Sequence, residues 1–132
     1  MSRQNPRIEA VMTKSPHSIG VEQTLERART VMTEHGVRHL PVLHGGKLVG
    51  VVTERDVHLV ESLQGVNPKL VTVSDAMSEA VYCVPPDALL VDVAREMAEH
   101  KYGSTVVVNG GKVVGIFTTV DACRALAESL HS

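Results

Sequence analysis

Apolar side chains in the first half of the chain change from strand-like to helical spacing and back. Leu25, Ala28 and Met32 recur at intervals of three and four residues, which predicts a helix with one buried face. Two short apolar runs follow, and two glycines between them supply the positive φ angles of a two-residue hairpin turn. The predicted elements are a strand at 17–19, a helix at 24–35, strands at 38–43 and 47–52 joined at Gly45-Gly46, and a second helix from Thr53.

The same pattern occurs a second time, 65 residues further along the chain. This shift places Met12 on Met77 and Asp56 on Asp121, and the register holds between them without a gap. The second copy predicts a strand at 82–84, a helix from about Asp87 as its N-cap to His100, strands at 104–108 and 112–117 joined at Gly110-Gly111, and a helix from Thr118.

The duplication predicts both the fold class and the domain organisation. The order β-α-β-β-α, present twice, predicts an α+β fold. Because a unit of about 60 residues is marginal as an independent fold, we expect the two copies to pack as one compact domain with a pseudo-two-fold axis. The predicted boundaries are 6–63 for the first repeat, 64–72 for a connector and 73–130 for the second repeat.

Composition narrows the classes of function. The net charge of −2 and the aromatic content of 2% provide neither a basic surface nor a stacking platform, so we expect no nucleic-acid partner. The apolar runs are too short to span a bilayer and no long apolar segment follows the first charges, so we expect a cytoplasmic protein that binds no membrane. Cys83 and Cys123 form no CxxC pair and are predicted to be buried thiols in a reducing compartment.

Each copy places a Thr and an Asp three residues apart where a strand leads into a helix, as Thr53 with Asp56 and as Thr118 with Asp121. One interpretation is a capping box, in which both side chains bond to the backbone of the first helical turn. The other is a ligand site, because a helix N-terminus attracts phosphate and a carboxylate there accepts hydrogen bonds from the two hydroxyls of a ribose. The spacing alone leaves both interpretations open.

Two longer segments resemble a known motif. Gly50-Val-Val-Thr-Glu-Arg-Asp56 and Gly115-Ile-Phe-Thr-Thr-Val-Asp121 resemble the ribose and phosphate motif of CBS (cystathionine-β-synthase) domains. The stretch Glu34-His-Gly-Val-Arg-His-Leu-Pro-Val-Leu43 resembles the helix end and strand before that motif, and Val11-Met-Thr13 resembles the family's opening. The resemblance extends from about Pro6 to Leu126 and indicates a stand-alone CBS pair, or Bateman module.

This resemblance implies a function. It implies a regulatory sensor that binds an adenosine nucleotide, AMP, ADP or ATP, in the cleft between the two repeats and signals to an unidentified protein partner in trans. The sequence does not choose among these nucleotides, S-adenosylmethionine and NAD. No cofactor is expected to be required, and family members suggest a homodimer.

The resemblance also implies roles for individual residues. Asp56 and Asp121 are expected to hold ribose hydroxyls, and Thr53 and Thr118 to contact ribose or phosphate. The base is expected to lie against the first strand and the start of the hairpin of each copy. These residues are Ser15, Pro16, Ile19, Val37, Arg38, His39, Leu40 and Pro41 for the first site, and Ala80, Val81, Tyr102, Gly103, Ser104 and Thr105 for the second.

The two predicted sites are not equivalent. The first copy carries Arg38, His39 and Arg55, whereas the second carries Gly103, Ser104 and Val120 at the same positions. Because Arg suits bidentate phosphate recognition, Arg55 is included among the phosphate-binding residues. We therefore expect the Asp56 site to favour a phosphorylated nucleotide and the Asp121 site to be weaker, empty or suited to a less charged adenosine compound.

Other kinds of site have less support in the sequence. Seven histidines are present, but no HExxH segment or Cys/His quartet occurs, so no metal site is predicted. No nucleophile has an evident partner, so no catalytic residue and no enzymatic activity are predicted. The alternatives to a sensor are a ligand-free interaction or stability module and, with less support, a nucleotide-processing enzyme. Apolar residues on the second helix of each copy are candidates for a dimer surface: Val57, Val60, Leu63, Leu126 and Leu130.

Overall fold

The computed structural model of the protein describes residues 5–131. Its elements alternate as the repeat predicts, which confirms the α+β class. In chain order they are β1 (Thr13–Lys14), β2 (Ile19–Gly20), α1 (Leu25–His35), β3 (His39–His44), β4 (Lys47–Thr53), α2 (Glu54–Glu61), α3 (Val73–Ala76), β5 (Cys83–Val84), α4 (Leu90–His100), β6 (Ser104–Asn109), β7 (Lys112–Thr118) and α5 (Thr119–His131). A 3-10 turn, Ile8–Ala10, precedes β1.

The chain divides into two compact units. The central unit is His17–Val81, and the terminal unit consists of the described residues up to Pro16 together with those from Tyr82 onward. The central unit contains a three-stranded sheet in the order β2-β3-β4, and the terminal unit a four-stranded sheet in the order β1-β7-β6-β5. In both sheets the hairpin strands are antiparallel. The short strand β2 pairs in parallel with β3, and β5 pairs in parallel with β6, whereas β1 pairs antiparallel with β7.

The central unit buries the apolar face that the helical spacing predicts. Leu25 and Ala28 of α1 are fully buried against the sheet, and Val57 of α2 lies beside them. Thr24 caps α1 because its side chain accepts a hydrogen bond from the backbone N–H of Arg27 at 3.1 Å. The buried cluster consists of Ile19, Leu25, Ala28, Val31, Met32, Leu40, Val42, Val52, Val57 and Val73.

The terminal unit has a smaller buried cluster built in the same way. Val93 and Met97 of α4 pack on the sheet beside Phe117, and Ile8 enters from the N-terminal segment. The buried apolar residues of this cluster are Ile8, Val84, Val93, Met97, Val107 and Phe117. Thr105 on β6 is also fully buried, although it carries a hydroxyl.

The buried hydroxyl of Thr105 has no hydrogen-bond partner among the described residues. Leaving a buried polar group unpaired costs roughly 1–3 kcal/mol, so Thr105→Val is expected to raise the free energy of unfolding by about 1–2 kcal/mol. Denaturant titration of the two proteins measures the difference. Leu40 is the repeat equivalent of Thr105 and is fully buried, so Leu40→Thr is the matched control and is expected to destabilise the protein. A stability loss for Thr105→Val would contradict an unpaired hydroxyl.

The leading segment of each repeat packs in the unit that contains the body of the other repeat. Leu25 N–H donates to the carbonyl of Val71 at 2.9 Å, and Leu90 N–H donates to that of Pro6 at 2.8 Å. These two bonds are related by the shift of 65 residues. The predicted repeats at 6–63 and 73–130 are therefore units of sequence, whereas packing divides the chain near residues 16 and 81.

One expectation about local structure differs from what the structure contains. The predicted N-cap Asp87 is wrong, because α4 begins at Leu90, with Leu89 at its N-cap. Asp87 instead lies in a turn closed by the hydrogen bond from Ala88 N–H to Pro85 O. Lys101 ends α4 with φ of 60°, where the first copy has Gly36 with φ of 63°. Lys101 therefore adopts a left-handed conformation that favours glycine.

Two further expectations concern burial. Cys83 and Cys123 are exposed, so the prediction of buried thiols is wrong: Cys83 is on the outer face of the short strand β5, and Cys123 is on an exposed part of α5. Val57 is 1% exposed and belongs to the core, so it is unsuitable for a dimer surface. Leu63, Leu126 and Leu130 are exposed, as that surface requires.

None of the helices in the described part of the chain is both long and apolar enough to cross a bilayer.

Candidate functional site

Strand β4 leads directly into α2, and Thr53 is the N-cap of that helix. The hydroxyl of Thr53 accepts a hydrogen bond from Asp56 N–H at 3.1 Å, and Asp56 Oδ2 accepts one from Thr53 N–H at 2.9 Å. This is a complete capping box, so the structural interpretation of the Thr–Asp pair is confirmed for the first copy. The cap also orients the carboxylate, because Oδ2 is held against the backbone.

The other oxygen of Asp56 has no such partner. Oδ1 makes no hydrogen bond with any described residue, and the side chain is only half-buried. An ionised carboxylate accepts about four hydrogen bonds in total. The capping box therefore leaves most of the accepting capacity of Asp56 available to a ligand.

Strand β3 begins beside this carboxylate. His39 is paired with Thr53 in the antiparallel ladder, and Glu54 N–H donates to Arg38 O at 2.8 Å. The Arg38 guanidinium is exposed and lies 3.9 Å from Glu54, which makes the ion pair weak. Cationic, imidazole and carboxylate groups therefore surround the start of α2.

The imidazole of His39 is held largely in its neutral form. Partial burial lowers the pKa of His39 below its ordinary value, and the positive charge of Arg38 lowers it further. Asp56 and Glu54 act in the opposite direction with smaller effect. A neutral imidazole has one donor and one acceptor nitrogen, so His39 offers both to a neighbouring polar group.

The second copy has the same junction between strand and helix, but its aspartate is more deeply buried and has more hydrogen-bond partners. Asp121 is 4% exposed, and both of its oxygens are engaged. Oδ2 accepts from Thr118 N–H at 2.9 Å, and the Thr118 hydroxyl also lies 3.3 Å from it. Oδ1 accepts from the Thr13 hydroxyl at 3.1 Å and from Arg124 Nη1 at 3.0 Å. The return bond from Asp121 N–H to the Thr118 hydroxyl is long, at 3.5 Å.

A glycine precedes each Thr by three residues, and the structure explains it by close chain packing. A Cβ atom on Gly50 would lie 2.7 Å from both Met77 Sδ and Ser78 O, and one on Gly115 would collide with the side chain of Met12. Each glycine is therefore explained by the close approach of another segment of the same chain, Met77 and Ser78 at Gly50 and Met12 at Gly115, rather than by a ligand.

The sequence profile of the CBS domain family matches residues 8–60 and 73–128 of this chain. The chain belongs to the CBS domain family. Each matched segment contains one of the two Thr–Asp pairs, so the duplicated unit is the CBS repeat.

Relatives of two sizes match this CBS pair. The CBS domain-containing protein YhcV of Bacillus subtilis (strain 168) is 30% identical over 114 residues, which cover 86% of this chain and 81% of YhcV. Inosine-5'-monophosphate dehydrogenase of Korarchaeum cryptofilum (strain OPF8) is 34% identical over 122 residues, which cover 92% of this chain and 24% of the dehydrogenase. The chain thus spans about a quarter of that enzyme.

A solved CBS structure shares the whole fold. The crystal structure of CBSX2 in complex with AMP has a TM-score of 0.81 and 26% sequence identity to this chain. The match covers 92% of this chain and 97% of CBSX2.

The residues expected to contact the base fall in both units. Ile19, Val37, Arg38, His39, Leu40, Pro41, Ala80 and Val81 belong to the central unit, and Ser15, Pro16, Tyr102, Gly103, Ser104 and Thr105 to the terminal unit. Ser15 and Pro16 are thus not in the compact unit that contains Asp56. The N–H of Ser15 donates to the carbonyl of Val114 on β7. Leu40 and Thr105 are fully buried as whole residues, so neither presents surface to a ligand in this structure.

A cavity of about 340 Å³ opens in the central unit, and all of its lining residues belong to the first CBS repeat. Two expected base-pocket residues, Val37 and Arg38, line it together with Glu54, whereas Asp56 does not. Its remaining lining residues are Arg29, Met32, Thr33, Gly36 and Val57. Arg29 is engaged by Glu61 through two 2.6 Å hydrogen bonds that join α1 to α2. The sequence pattern did not identify Arg29, because no local spacing relates it to Glu61, which is 32 residues away.

Stacked rings form a second feature that the sequence did not reveal. His17 and His35 stack with centroids 3.5 Å apart in the central unit. In the terminal unit the equivalent positions hold Tyr82 and His100, and both contact Tyr102 with centroids 5.2 Å apart. Burial and, to a lesser extent, Glu96 raise the pKa of Tyr82, so its hydroxyl stays protonated at neutral pH.

One group of described residues has the spacing of metal ligands. Glu96, Glu99 and His100 on α4 place one ligand atom each within 4.8 Å of the others. They are largely exposed, and His100 Nε2 lies 3.2 Å from a carboxylate oxygen of Glu96 across one helical turn. Exposed groups of this kind are common without a metal ion, and they add no metal site to the account.

Proposed function

We propose that this CBS pair is a regulatory sensor that binds an adenosine nucleotide at the start of α2 in the first CBS repeat. The observation that carries the proposal is the geometry of Asp56. Its Oδ2 is held by the capping box, while Oδ1 has no partner among residues 5–131 and lies at a half-buried position. A ribose offers two adjacent hydroxyl donors, and charge-assisted hydrogen bonds of this type are about twice as strong as neutral ones.

The remaining parts of a nucleotide have matching groups nearby. Arg55 is exposed in the first turn of α2, and Arg38 is bound only loosely to Glu54. Both guanidinium groups, together with the N-terminal end of α2, favour a phosphate. We place the base against Val37 and His39, which are partly exposed at the start of the hairpin.

Likeness to CBSX2 supports an adenosine compound, because that protein was crystallised with AMP and shares the fold at 26% identity. Neither this likeness nor the site chooses among AMP, ADP and ATP. S-adenosylmethionine and NAD remain candidates for the same reason.

The competing function is a CBS module that binds no ligand. It is favoured by one observation, the capping role of both Thr–Asp pairs, which accounts for these residues without a nucleotide. The two functions differ in whether a ligand bonds to Asp56 Oδ1, because the capping box uses only Oδ2.

A thermal-shift series separates the two functions. Unfolding temperatures are measured with AMP, ADP, ATP, S-adenosylmethionine and NAD, and with GMP and GTP as matched controls for the base. A ligand at one hundred times its Kd stabilises the folded state by about 2.7 kcal/mol, which raises the unfolding temperature by several degrees. We expect that rise with at least one adenosine nucleotide and a smaller one with its guanosine counterpart. No rise with any compound would favour the ligand-free module.

We further propose that the signal reaches a protein partner in trans, with a homodimer as the signalling form. Each unit has two leucines that are half or more exposed and available for such contacts, Leu59 and Leu63 in the central unit and Leu126 and Leu130 in the terminal unit. No catalytic step is proposed: incubation with ATP is expected to give no turnover.

A further inference from the structure

We infer that Thr13 and Arg124 block the nucleotide position of the second CBS repeat, so that each chain binds one nucleotide rather than two. The inference rests on the proposed function and concerns which copy of the site is open. It assigns to Thr13 and Arg124 a role in determining the number of sites.

Both carboxylate oxygens of Asp121 already accept hydrogen bonds from the protein itself. Oδ2 is occupied by the backbone and hydroxyl of Thr118, as a capping residue requires. Oδ1 is occupied by the Thr13 hydroxyl and Arg124 Nη1 at 3.1 and 3.0 Å. A carboxylate accepts about four hydrogen bonds, so all of this capacity is used. The two donors on Oδ1, a hydroxyl and a cation, take the positions that two ribose hydroxyls need.

Burial closes the same position to solvent. The side chain of Asp121 is 4% exposed, whereas that of Asp56 is half-buried. A ribose therefore reaches Oδ1 of Asp121 only after both donors have moved away. The Thr13 hydroxyl is held in place because β1 pairs with β7, where Thr13 lies opposite Ile116.

Neither of these two bonds forms at the carboxylate of the first CBS repeat within the described residues. The shift of 65 residues places Leu59 at the position of Arg124 and Ser78 at that of Thr13. Leu59 is 63% exposed and cannot donate a hydrogen bond, and Ser78 makes no side-chain hydrogen bond to Asp56 in the described chain. The open Oδ1 of Asp56 and the blocked Oδ1 of Asp121 thus follow from two differences: Leu59 replaces the guanidinium of Arg124, and the Ser78 hydroxyl does not bond to the carboxylate as that of Thr13 does.

The repeat supplies the matched variants for a test. Arg124→Leu gives the second copy the residue of the first, and Leu59→Arg gives the first copy the residue of the second. Both side chains are largely exposed, so both proteins are expected to fold. Isothermal titration with AMP and with ATP measures the number of sites and the affinity of each protein.

The wild type is expected to bind one nucleotide per chain. Arg124→Leu is expected to add a second, weaker site, and the double variant Thr13→Val with Arg124→Leu is expected to tighten that site. Leu59→Arg is expected to weaken the single site of the wild type about tenfold, because its guanidinium competes for Oδ1 of Asp56. Circular dichroism of each variant confirms that the fold is retained.

The outcomes distinguish this inference from the proposed function. Two sites in the wild type, or one unchanged site in both Arg124→Leu and the double variant, would overturn the block while leaving nucleotide binding in place. Tighter binding by Leu59→Arg would also overturn it. Absence of binding by every variant would contradict the proposed function itself.

Discussion

The Asp56→Asn substitution is expected to weaken binding of an adenosine nucleotide by roughly 10- to 100-fold. A hydrogen bond to a charged group contributes about 1.5–3 kcal/mol, and every 1.4 kcal/mol corresponds to a tenfold change in Kd. Asn keeps the size of Asp and retains a carbonyl oxygen that accepts from Thr53 N–H, so the capping bond at 2.9 Å has a substitute. Calorimetric titration of the wild type and the variant with the same nucleotide measures the ratio.

Asp121→Asn is the matched control for this result. The same change is made in the other CBS repeat, where Oδ1 is already occupied by Thr13 and Arg124. We expect this variant to bind nucleotide with the affinity of the wild type. Equal losses in the two variants would show that the copies contribute equally and would contradict the ranking of the sites.

The second large effect is expected at Gly50. An added Cβ would lie 2.7 Å from the carbonyl oxygen of Ser78, which accepts from Val51 N–H at 3.0 Å and is held in the chain's own ladder. Backbone cannot move aside as a side chain does, so Gly50→Ala is expected to lower the free energy of unfolding by about 3 kcal/mol. That loss corresponds to a fall in unfolding temperature of about 10 °C.

Gly115→Ala provides the comparison. An added Cβ there meets only the side chain of Met12 among its nearest atoms, and a methionine side chain adjusts its rotamer. We expect a loss of about 1 kcal/mol, within the range for overpacking. Thermal unfolding of the two variants gives the difference. A larger loss at Gly115 than at Gly50 would mean that the backbone contact of Ser78 does not set the cost.

The elements of the fold are largely predictable because their signals are local. The helix with Leu25 and Ala28 inward was predicted from its spacing, and the hairpin at Gly45-Gly46 from its glycines, whose φ angles are 57° and 81°. The repeat made each prediction twice. The cap of α4 was the exception, since Leu90 N–H bonds to Pro6, a partner 84 positions earlier that no local pattern reveals.

The candidate site is less predictable for the same reason. The spacing identifies both pairs, Thr53 with Asp56 and Thr118 with Asp121. It does not show that the two carboxylates differ in their hydrogen-bond partners. Their difference depends on Thr13, which is 108 residues away from Asp121, and on the identity of one exposed residue in α5. Only the folded chain brings these groups to the same carboxylate.

The sequence also does not predict the unit in which the leading segment of each repeat packs. The duplication predicts two equal repeats, yet residues before β2 pack beside β7, and residues 71–81 run beside α1 and β4. Equivalent hydrogen bonds form in the two units, so a pattern of sequence alone does not decide which copy a leading segment joins.

The most direct test of the account is whether Asp56 holds the ribose. AMP and 2′,3′-dideoxyadenosine 5′-monophosphate are each titrated into the wild type and into Asp56→Asn. We expect removal of the two hydroxyls to weaken binding to the wild type by roughly 10- to 100-fold and to have much less effect on binding to the variant. If the dideoxy compound binds the wild type as tightly as AMP, or loses as much affinity for the variant as for the wild type, Asp56 does not bind the ribose hydroxyls.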